Sequence, residues 1–211
     1  MKILDDISTL LQAGKAEPLK EQVRQALAEG IEAKVILEEG LMVGMNIIGQ
    51  KFKRNEVYVP EVLIAARAMN GGIEILKPLL AAGDSKARGT VVIGTVQGDL
   101  HDIGKNLVKI MMEGKGMEVI DLGTNVSADR YVQAARDNKA QIVACSALLT
   151  TTMVQMESVV KALQDAGMRD DVTIMIGGAP VTDEYRKSIG ADIYSADAAS
   201  AADEAARVCA A

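Results

Sequence analysis

The stretch TVVIGTVQGDLHDIGKN (residues 90–106) marks the point at which the pattern of apolar residues changes. Its first seven residues are apolar, small or β-branched, which predicts a buried strand, and a helical pattern begins near residue 103. Strand-like runs and helical stretches then alternate to the end of the chain. The predicted strands are TVVIGTV (90–96), MEVIDLG (117–123), QIVACSA (141–147), VTIMIGG (172–178) and ADIYS (191–195), and the predicted helices are 103–115, 127–138, 152–166, 181–188 and 197–209.

This alternation predicts parallel strands with helices on both faces of the sheet. Five strands within residues 90–211 are typical of a flavodoxin-like, doubly wound α/β domain. The polar residues 85–89, which end a glycine-flanked segment, predict a linker in front of it. In doubly wound sheets, ligands bind beyond the carboxyl ends of the strands. We therefore expect the functional residues to follow the strands directly.

Residues 1–84 have a different pattern, in which apolar residues recur at helical spacing. They predict four amphipathic helices with short connections, which form a small four-helix bundle. The third helix is expected over residues 31–53, with a bend at Gly40 or Gly44, and the fourth over residues 60–80.

The composition excludes several classes of function. The chain has four Tyr, one Phe and no Trp among 211 residues, so it lacks the aromatic platforms on which single-stranded nucleic acids stack. The net charge of −6 also argues against a nucleic-acid partner, because phosphate backbones are bound by clustered Lys and Arg. Asp5 and Asp6 interrupt the place of a signal-peptide apolar run, and no apolar stretch approaches the roughly 20 residues that span a bilayer. We therefore expect a cytoplasmic protein with neither nucleic acid nor a membrane as partner.

His101 is the only histidine of the chain, and it follows the first predicted strand. Asp99, two residues earlier, can fix the tautomer of its ring, and Gly98 and Gly104 on either side allow close approach to the backbone. A solvated loop histidine is the alternative. A protein-only metal centre needs three or four ligands, which one histidine cannot supply. A metal held by its own macrocycle needs one axial ligand, which points to haem or a corrinoid.

Other chemistries fit these strand ends poorly. The loop glycines stand one residue too far apart for a P-loop, Lys105 is not followed by Ser or Thr, and GxGxxG is absent. A phospho-accepting receiver domain would end its third strand in Asp, where this chain has Cys145 and Ser146. Cys145 and Cys209 form no CxxC pair, which excludes a zinc ribbon or a thioredoxin-type site.

Small and hydroxylic residues follow the third and fourth strands, in SALLTTT (146–152) and GGAP (177–180). Small side chains leave a slot for a flat group, and hydroxyls can bond its edges. A bulky residue at Gly177 or Gly178 should then block the slot and leave the fold intact. The alternative is that the two glycines only make a turn and that the threonines only cap the next helix.

The chain resembles corrinoid-binding domains in three segments that each follow the expected strand. These segments are Asp99-x-His101-x-x-Gly104, Ser146-x-Leu148 and Gly177-Gly178. It is similar to the cobalamin-binding part of methionine synthase and to the stand-alone corrinoid proteins of methyl-transfer systems. GLMVGMNIIGQKF (40–52) and VYVPEVLIAARAM (57–69) resemble the helical cap that precedes the sheet in that family. The resemblance implies a cap domain over 1–84 and a Rossmann-like corrinoid-binding domain over 90–211.

The resemblance also implies a role for individual residues. Cobalamin or a related corrinoid would bind with its nucleotide base displaced from cobalt and with His101 as the lower axial ligand. Asp99 would accept a hydrogen bond from the other imidazole nitrogen, and Thr152 stands where methionine synthases have a Ser beyond that Asp. Phe52 and Val59 would lie in the cap above the corrin, with a core position as the alternative for Phe52. The other implied contacts, in the loop and the tail slot, are Gly98, Asp102, Ile103, Gly104, Ser146, Leu148, Thr150, Gly177 and Gly178.

As a function, the resemblance implies a methyl carrier rather than a complete enzyme. The methyl group on cobalt would pass from a substrate-specific corrinoid methyltransferase to a second methyltransferase that acts on tetrahydrofolate or coenzyme M. A reductive activator protein would restore oxidised cobalt, and the cap would move about the linker. Two alternatives stay open: a corrinoid-binding sensor or storage module, and the small subunit of a cobalamin-dependent mutase. Mutase subunits generally lack a helical cap, which favours the methyl carrier.

Overall fold

The structure, a computed structural model, describes residues 1–81 and 87–210. The chain divides into two compact units, Met1–Lys86 and Ala87–Ala211. The predicted linker falls partly outside the described residues, because residues 85 and 86 are not among them. Within the described ranges, no helix is both long and apolar enough to cross a membrane.

The first unit consists of helices that bury one aliphatic face each. Its elements are α1 (Lys2–Gln12), α2 (Ala16–Ala28), α3 (Ala33–Val35), a π-helical segment (Ile36–Leu41), α4 (Met42–Lys53) and α5 (Val59–Ala81). Helix α1 packs against α2 and α4, and α2 packs against α5. The shared core is built from aliphatic and methionine side chains, among them Leu4, Ile7, Leu19, Met45 and Leu76. The predicted four-helix bundle is confirmed, with residues 33–53 as its third helix.

This third helix contains a π-helical segment where the sequence predicts a bend. Gly40 and Gly44 both face α1: an added Cβ would lie 3.1 Å from Cγ2 of Ile7 in the first case and 3.0 Å from the carbonyl oxygen of Ser8 in the second. A side chain at either position would therefore press on α1. The close approach of two helices explains why glycine occupies both positions.

The second unit contains a parallel sheet of five strands. The strands are β1 (Thr90–Thr95), β2 (Glu118–Asp121), β3 (Ile142–Ser146), β4 (Thr173–Gly177) and β5 (Ile193–Tyr194). Their order is β2-β1-β3-β4-β5, and every neighbouring pair is parallel. This is the strand order of a flavodoxin-like sheet, so the predicted doubly wound α/β fold is confirmed. The central strands β1, β3 and β4 are buried, as their uninterrupted apolar runs predict.

Six helices flank the sheet within the described residues. They are α6 (Ile103–Glu113), α7 (Ala128–Asp137), α8 (Thr150–Met153), α9 (Gln155–Asp165), α10 (Asp183–Ile189) and α11 (Ala198–Ala210). Helix α6 packs against α11, and α7 packs against α9. The single helix predicted over 152–166 differs from the structure, because it begins at Thr150 and is interrupted at Val154.

Two segments of the predicted signature begin at one level of the sheet, and β1, which leads to the third segment, ends at the same level. Thr95 of β1 pairs with Ser146 of β3, and Ser146 pairs with Gly177 of β4. The strand order reverses next to β1, since β2 lies on one side of it and β3 on the other. The residues that follow these three strands therefore meet at the edge where ligands bind in doubly wound sheets.

Candidate functional site

His101 presents one ring nitrogen to the outside of the protein. Its Nδ1 lies 2.8 Å from Oδ1 of Asp99, while its side chain is 51% exposed. An ionised carboxylate only accepts hydrogen bonds, so Nδ1 carries the ring proton and donates a hydrogen bond to Asp99. Nε2 is left with a free lone pair, which is the form of imidazole that binds a metal.

Asp99 is a buried carboxylate whose two oxygens are both engaged by donors. Oδ1 accepts from the ring of His101 and from its backbone N–H at 3.0 Å. Oδ2 accepts from the backbone N–H of Leu148 at 2.8 Å and from the hydroxyl of Thr152 at 2.6 Å. Burial by itself raises the pKa of the Asp99 carboxyl, but the hydrogen bonds from Thr152, His101 and Leu148 outweigh it and hold that pKa well below its usual range. A full negative charge therefore lies behind the ring of His101 at neutral pH.

Two residues outside the predicted motifs hold the backbone of this loop. The hydroxyl of Thr95 donates to the carbonyl of His101 at 2.8 Å. Asn125, which follows β2, accepts from the N–H of Gly98 at 2.8 Å and donates its own N–H to the carbonyl of Asp99 at 2.9 Å. Gly98 and Asn125 have φ angles of 82° and 54°, which Gly and Asn adopt at little cost. A polar residue at the end of an apolar strand is the signal that marks Thr95, whereas nothing in the sequence marks Asn125.

Thr152 reaches Asp99 from the short helix α8. It is 8% exposed, and its hydroxyl also lies 3.1 Å from the carbonyl oxygen of Leu149. Thr150, on the same helix, is exposed. The alternative in which the threonines only cap a helix is wrong here, because Leu149 and Val154 stand at the N-cap positions of α8 and α9.

The remaining residues of the histidine loop leave an open apolar surface. Leu100 is 73% exposed and Ile103 is 75% exposed, although both are large apolar side chains. Asp102 is exposed at the N-cap position of α6, and an added Cβ on Gly104 would meet no atom within 4 Å. Exposed apolar side chains grouped around a polar centre are typical of a surface that a ligand or partner covers.

Gly177, the last residue of β4, and Gly178, which follows it, lack a side chain for different reasons. An added Cβ on Gly177 would lie 3.2 Å from the carbonyl oxygen of Ser195, whereas one on Gly178 would overlap the carbonyl group of Ala147. Gly178 also has a φ of 136°, which side-chain-bearing residues rarely adopt. The prediction that a bulky residue at Gly178 leaves the fold intact is therefore wrong, because the protein's own backbone needs glycine there.

A buried hydroxyl without a partner lies beside Gly177. Oγ of Ser195, directly after β5, is buried and forms no hydrogen bond to any part of the chain that the structure describes. Buried hydroxyls are normally paired, so an unpaired one at the ligand-binding edge suits a polar atom of a bound molecule. Ser146 is partly buried and Leu148 is 44% exposed at the same edge. Ser195 is not marked by the sequence pattern, because its strand is short and weakly patterned.

Phe52 and Val59 belong to the helical unit. Phe52 lies in the last turn of α4, and Val59 is the first residue of α5. Both are partly exposed, so Phe52 is not a fully buried core residue. All the other candidate site residues belong to the sheet unit.

The donor set fits a metal that brings its own ligands. In the described ranges, no group of three His, Cys, Asp or Glu residues is placed to hold a metal ion. Burial raises the pKa of the Cys145 thiol to about 12, which keeps it protonated and unsuited to metal binding. A macrocyclic metal cofactor would use the open Nε2 of His101, cover the apolar side chains of Leu100 and Ile103, and offer a polar group to Ser195.

Comparisons with known proteins agree with this fit. Sequence models of the B12 binding domain match residues 89–207 and residues 3–77. Trimethylamine corrinoid protein 1 of Methanosarcina acetivorans is 44% identical over 180 residues, which cover 84% of this chain and 83% of that protein. The dimethylamine corrinoid protein of Methanosarcina barkeri is 38% identical over 205 residues, which cover 97% and 96%.

A solved structure gives the same result for the fold. The crystal structure of the methanol:cobalamin methyltransferase complex MtaBC from Methanosarcina barkeri contains a similar chain, with a TM-score of 0.89 and 29% identity. The match covers 99% of this chain and 80% of that one. The chain therefore belongs to the family of B12-binding corrinoid proteins of methyltransferase systems, which confirms the resemblance carried by its three strand-end segments.

Proposed function

We propose that this protein binds a corrinoid through His101, the lower axial ligand of cobalt, and carries a methyl group on that cobalt between two methyltransferases. The observation that carries the proposal is the pairing of His101 with Asp99: a buried carboxylate holds Nδ1 at 2.8 Å, and Nε2 stays open. When bound, the corrinoid supplies the cobalt that accepts and releases the methyl group.

Asp99 and Thr152 set the charge at this ligand. The ionised Asp99 keeps a proton on Nδ1 of His101 and so makes Nε2 a stronger electron donor. The hydroxyl of Thr152 donates to the opposite carboxylate oxygen at 2.6 Å. Thr152 thereby keeps in place the carboxylate that fixes the ring of His101.

The edge beside β4 receives the nucleotide tail in this proposal. Gly177 leaves room for it, Ser146 and Ser195 offer hydroxyls, and Leu148 offers an apolar wall. The histidine loop and the helical unit contact the macrocycle. The residues proposed for these contacts are Gly98, Asp102, Ile103, Gly104 and Thr150 from the sheet unit, and Phe52 and Val59 from the helical unit.

The first proposed partner is a substrate-specific corrinoid methyltransferase. The MtaBC structure is that of a methyltransferase complex, and two relatives are named for trimethylamine and dimethylamine. A methylamine is therefore the first donor to test. A second methyltransferase acting on tetrahydrofolate or coenzyme M, a reductive activator protein and a cytoplasmic location follow from the family resemblance alone. The match of residues 3–77 to a B12-binding model supports the methyl carrier over a mutase subunit, since such subunits generally lack a helical cap.

The experiment exploits the single histidine. Because His101 is the only histidine in the chain, ¹⁵N-labelled histidine marks one residue. Protein grown with labelled or unlabelled histidine is reconstituted with hydroxocobalamin, desalted, reduced to cobalt(II) and measured by electron paramagnetic resonance. We expect cobalt to remain bound and its nitrogen hyperfine pattern to change with the label. Loss of cobalt on desalting, or the same hyperfine pattern with labelled and unlabelled histidine, would contradict the proposal.

Methyl transfer is tested separately. The cobalt(I) holoprotein is mixed with a methylamine and a methyltransferase from a methylamine system, and the visible spectrum of the corrinoid is followed. We expect conversion to the methylated spectrum only when both the donor and the methyltransferase are present. A protein that binds the corrinoid but is methylated by no donor system would instead support the sensor or storage function.

A further inference from the structure

Thr95 is a fully buried threonine at the end of an otherwise apolar strand. Its hydroxyl donates to the carbonyl oxygen of His101 at 2.8 Å. Its backbone is engaged elsewhere, since its N–H donates to the carbonyl of Gly123 and its carbonyl accepts from the N–H of Val126. Valine has nearly the same shape as threonine, so packing alone does not require a hydroxyl here. The hydroxyl is committed to the peptide group that follows the candidate ligand.

The direction of the His101 ring depends on hydrogen bonds, because half of its side-chain surface is exposed and is not held by packing. Asp99 holds the backbone N–H at 3.0 Å and the ring Nδ1 at 2.8 Å. Thr95 holds the carbonyl. The two peptide groups that flank His101 are thus fixed by different residues, one in the loop and one in the sheet.

We propose that Thr95 is a positioning residue, whose hydroxyl fixes the carbonyl of His101 so that Nε2 keeps one direction at the edge of the sheet. The inference rests on the proposed function, in which Nε2 binds cobalt. Without the hydroxyl, the carbonyl of His101 loses the side-chain donor that holds it, and the ring loses a fixed direction. Loss of one hydrogen bond of this kind should lower the ratio of His-bound to His-free cobalt about two- to tenfold.

Three variants separate positioning from general stability. Thr95→Val removes the hydroxyl and keeps the shape, and Thr95→Ser keeps the hydroxyl and removes a methyl group. Thr90→Val is the matched control, because it makes the same chemical change at the opposite end of the same strand. Thermal unfolding of each apoprotein reports the structural cost of each change.

Two measurements with ¹⁵N-histidine then report on His101. In the apoprotein, nuclear magnetic resonance of the single labelled imidazole shows whether the ring has one conformation. In protein reconstituted with hydroxocobalamin and reduced to cobalt(II), electron paramagnetic resonance at one fixed pH gives the fraction of cobalt bound to the labelled nitrogen. The first measurement needs no cofactor, so it tests Thr95 even if the proposed function fails; the unaltered protein in the second measurement tests the proposed function itself.

We expect Thr95→Val to broaden or split the imidazole signal and to lower the labelled-nitrogen fraction, while Thr95→Ser and Thr90→Val match the unaltered protein in both. Equal imidazole signals and equal nitrogen fractions in Thr95→Val and the unaltered protein would overturn the inference. So would Thr95→Ser behaving like Thr95→Val, because the hydroxyl would then not be the cause. If Thr95→Val does not fold, Thr95→Ser still decides, since a loss of ordered imidazole in that variant contradicts a role for the hydroxyl.

Discussion

Thr152 donates its hydroxyl to Oδ2 of Asp99 at 2.6 Å, on the opposite side of the carboxyl group from the oxygen that holds His101. The carboxylate is therefore fixed between a helix and the histidine loop. Because each oxygen of Asp99 is hydrogen-bonded to a different element, a substitution at Thr152 should change the hydrogen bond between Asp99 and His101 without any direct contact between Thr152 and His101.

Thr152→Val should destabilise the apoprotein by about 1.5–3 kcal/mol, because a buried charged acceptor loses one donor. It should also raise the pKa of Asp99 toward its usual value. The stabilisation by a carboxylate with a depressed pKa is present above the unfolded-state pKa and is lost as the pH falls. The acid-induced loss of stability should therefore begin at the same pH in both proteins, because the unfolded state sets it, but should be smaller in this variant and end at a higher pH. Denaturant unfolding at several pH values measures both effects, with exposed Thr151→Val as the control; identical pH profiles would contradict the prediction.

Asp99→Asn should cost both stability and cofactor affinity. Donors approach both oxygens of Asp99, and an amide can accept on only one side, so its NH₂ group would face either His101 or the N–H of Leu148. We expect a loss of about 1–3 kcal/mol in the free energy of unfolding and a loss of about 10–100-fold in corrinoid affinity. The exposed neighbour Asp102→Asn serves as the stability control. An Asp99→Asn protein as stable as that control would show that the converging donors do not matter.

His101→Ala should weaken corrinoid binding without abolishing it, because the tail slot and the macrocycle contacts remain. Its visible spectrum should differ from that of the unaltered holoprotein, and added imidazole should partly restore it by occupying the vacated position. Since the His101 side chain is half exposed, the apoprotein should lose little stability. Titration with hydroxocobalamin followed by visible spectroscopy is the measurement. An unchanged cobalt(III) spectrum across neutral pH would leave His101 as an ordinary loop histidine.

Gly177→Ala and Gly178→Ala should fail in different ways. A methyl group on Gly177 meets one carbonyl at 3.2 Å, so the protein should fold and bind cobalamin less tightly. A methyl group on Gly178 overlaps the Ala147 carbonyl and requires an unfavourable φ, which should cost about 1–3 kcal/mol or more in stability. Thermal unfolding and cobalamin titration of the pair provide the comparison. Equal stability of the two variants would show that the close contact at Gly178 relaxes without cost.

Ser195→Ala should stabilise the apoprotein by up to about 1 kcal/mol, since it removes a buried hydroxyl that lacks a partner. The same change should weaken binding of cobalamin, whose nucleotide tail would use that hydroxyl, but not of cobinamide, which has no tail. Unfolding of the apoprotein and titration with both corrinoids test the two halves of the prediction. An equal loss of affinity for both would place Ser195 outside the tail slot.

The sequence predicts most of the scaffold and the chemical centre of the site. Long apolar runs made β1, β3 and β4 recognisable, and the spacing of Asp99 and His101 indicated a supported ligand before their distance was known. Ser195 was not found, because its strand is short and weakly patterned. Thr95 and Asn125 were not found, because their partners are backbone groups that only the folded loops bring near. The need for glycine at Gly178 was misread for a similar reason, since it arises from the carbonyl of Ala147 rather than from the ligand. Side-chain patterns indicate periodicity well, but they do not show where loop carbonyls point.

Thr95, Ser146 and Gly177 are paired across three neighbouring strands, and this register restricts where residues can be inserted into the domain. One residue inserted into β1, β3 or β4 would advance the following segment by about 3.3 Å and turn the alternating side chains to the opposite face. The histidine loop, the serine segment and the glycine pair would then no longer follow strand ends that lie at the same level of the sheet. An engineer who wished to move this site into another parallel sheet would therefore have to match three strand lengths first, and could vary the helices and the far-end loops freely afterwards.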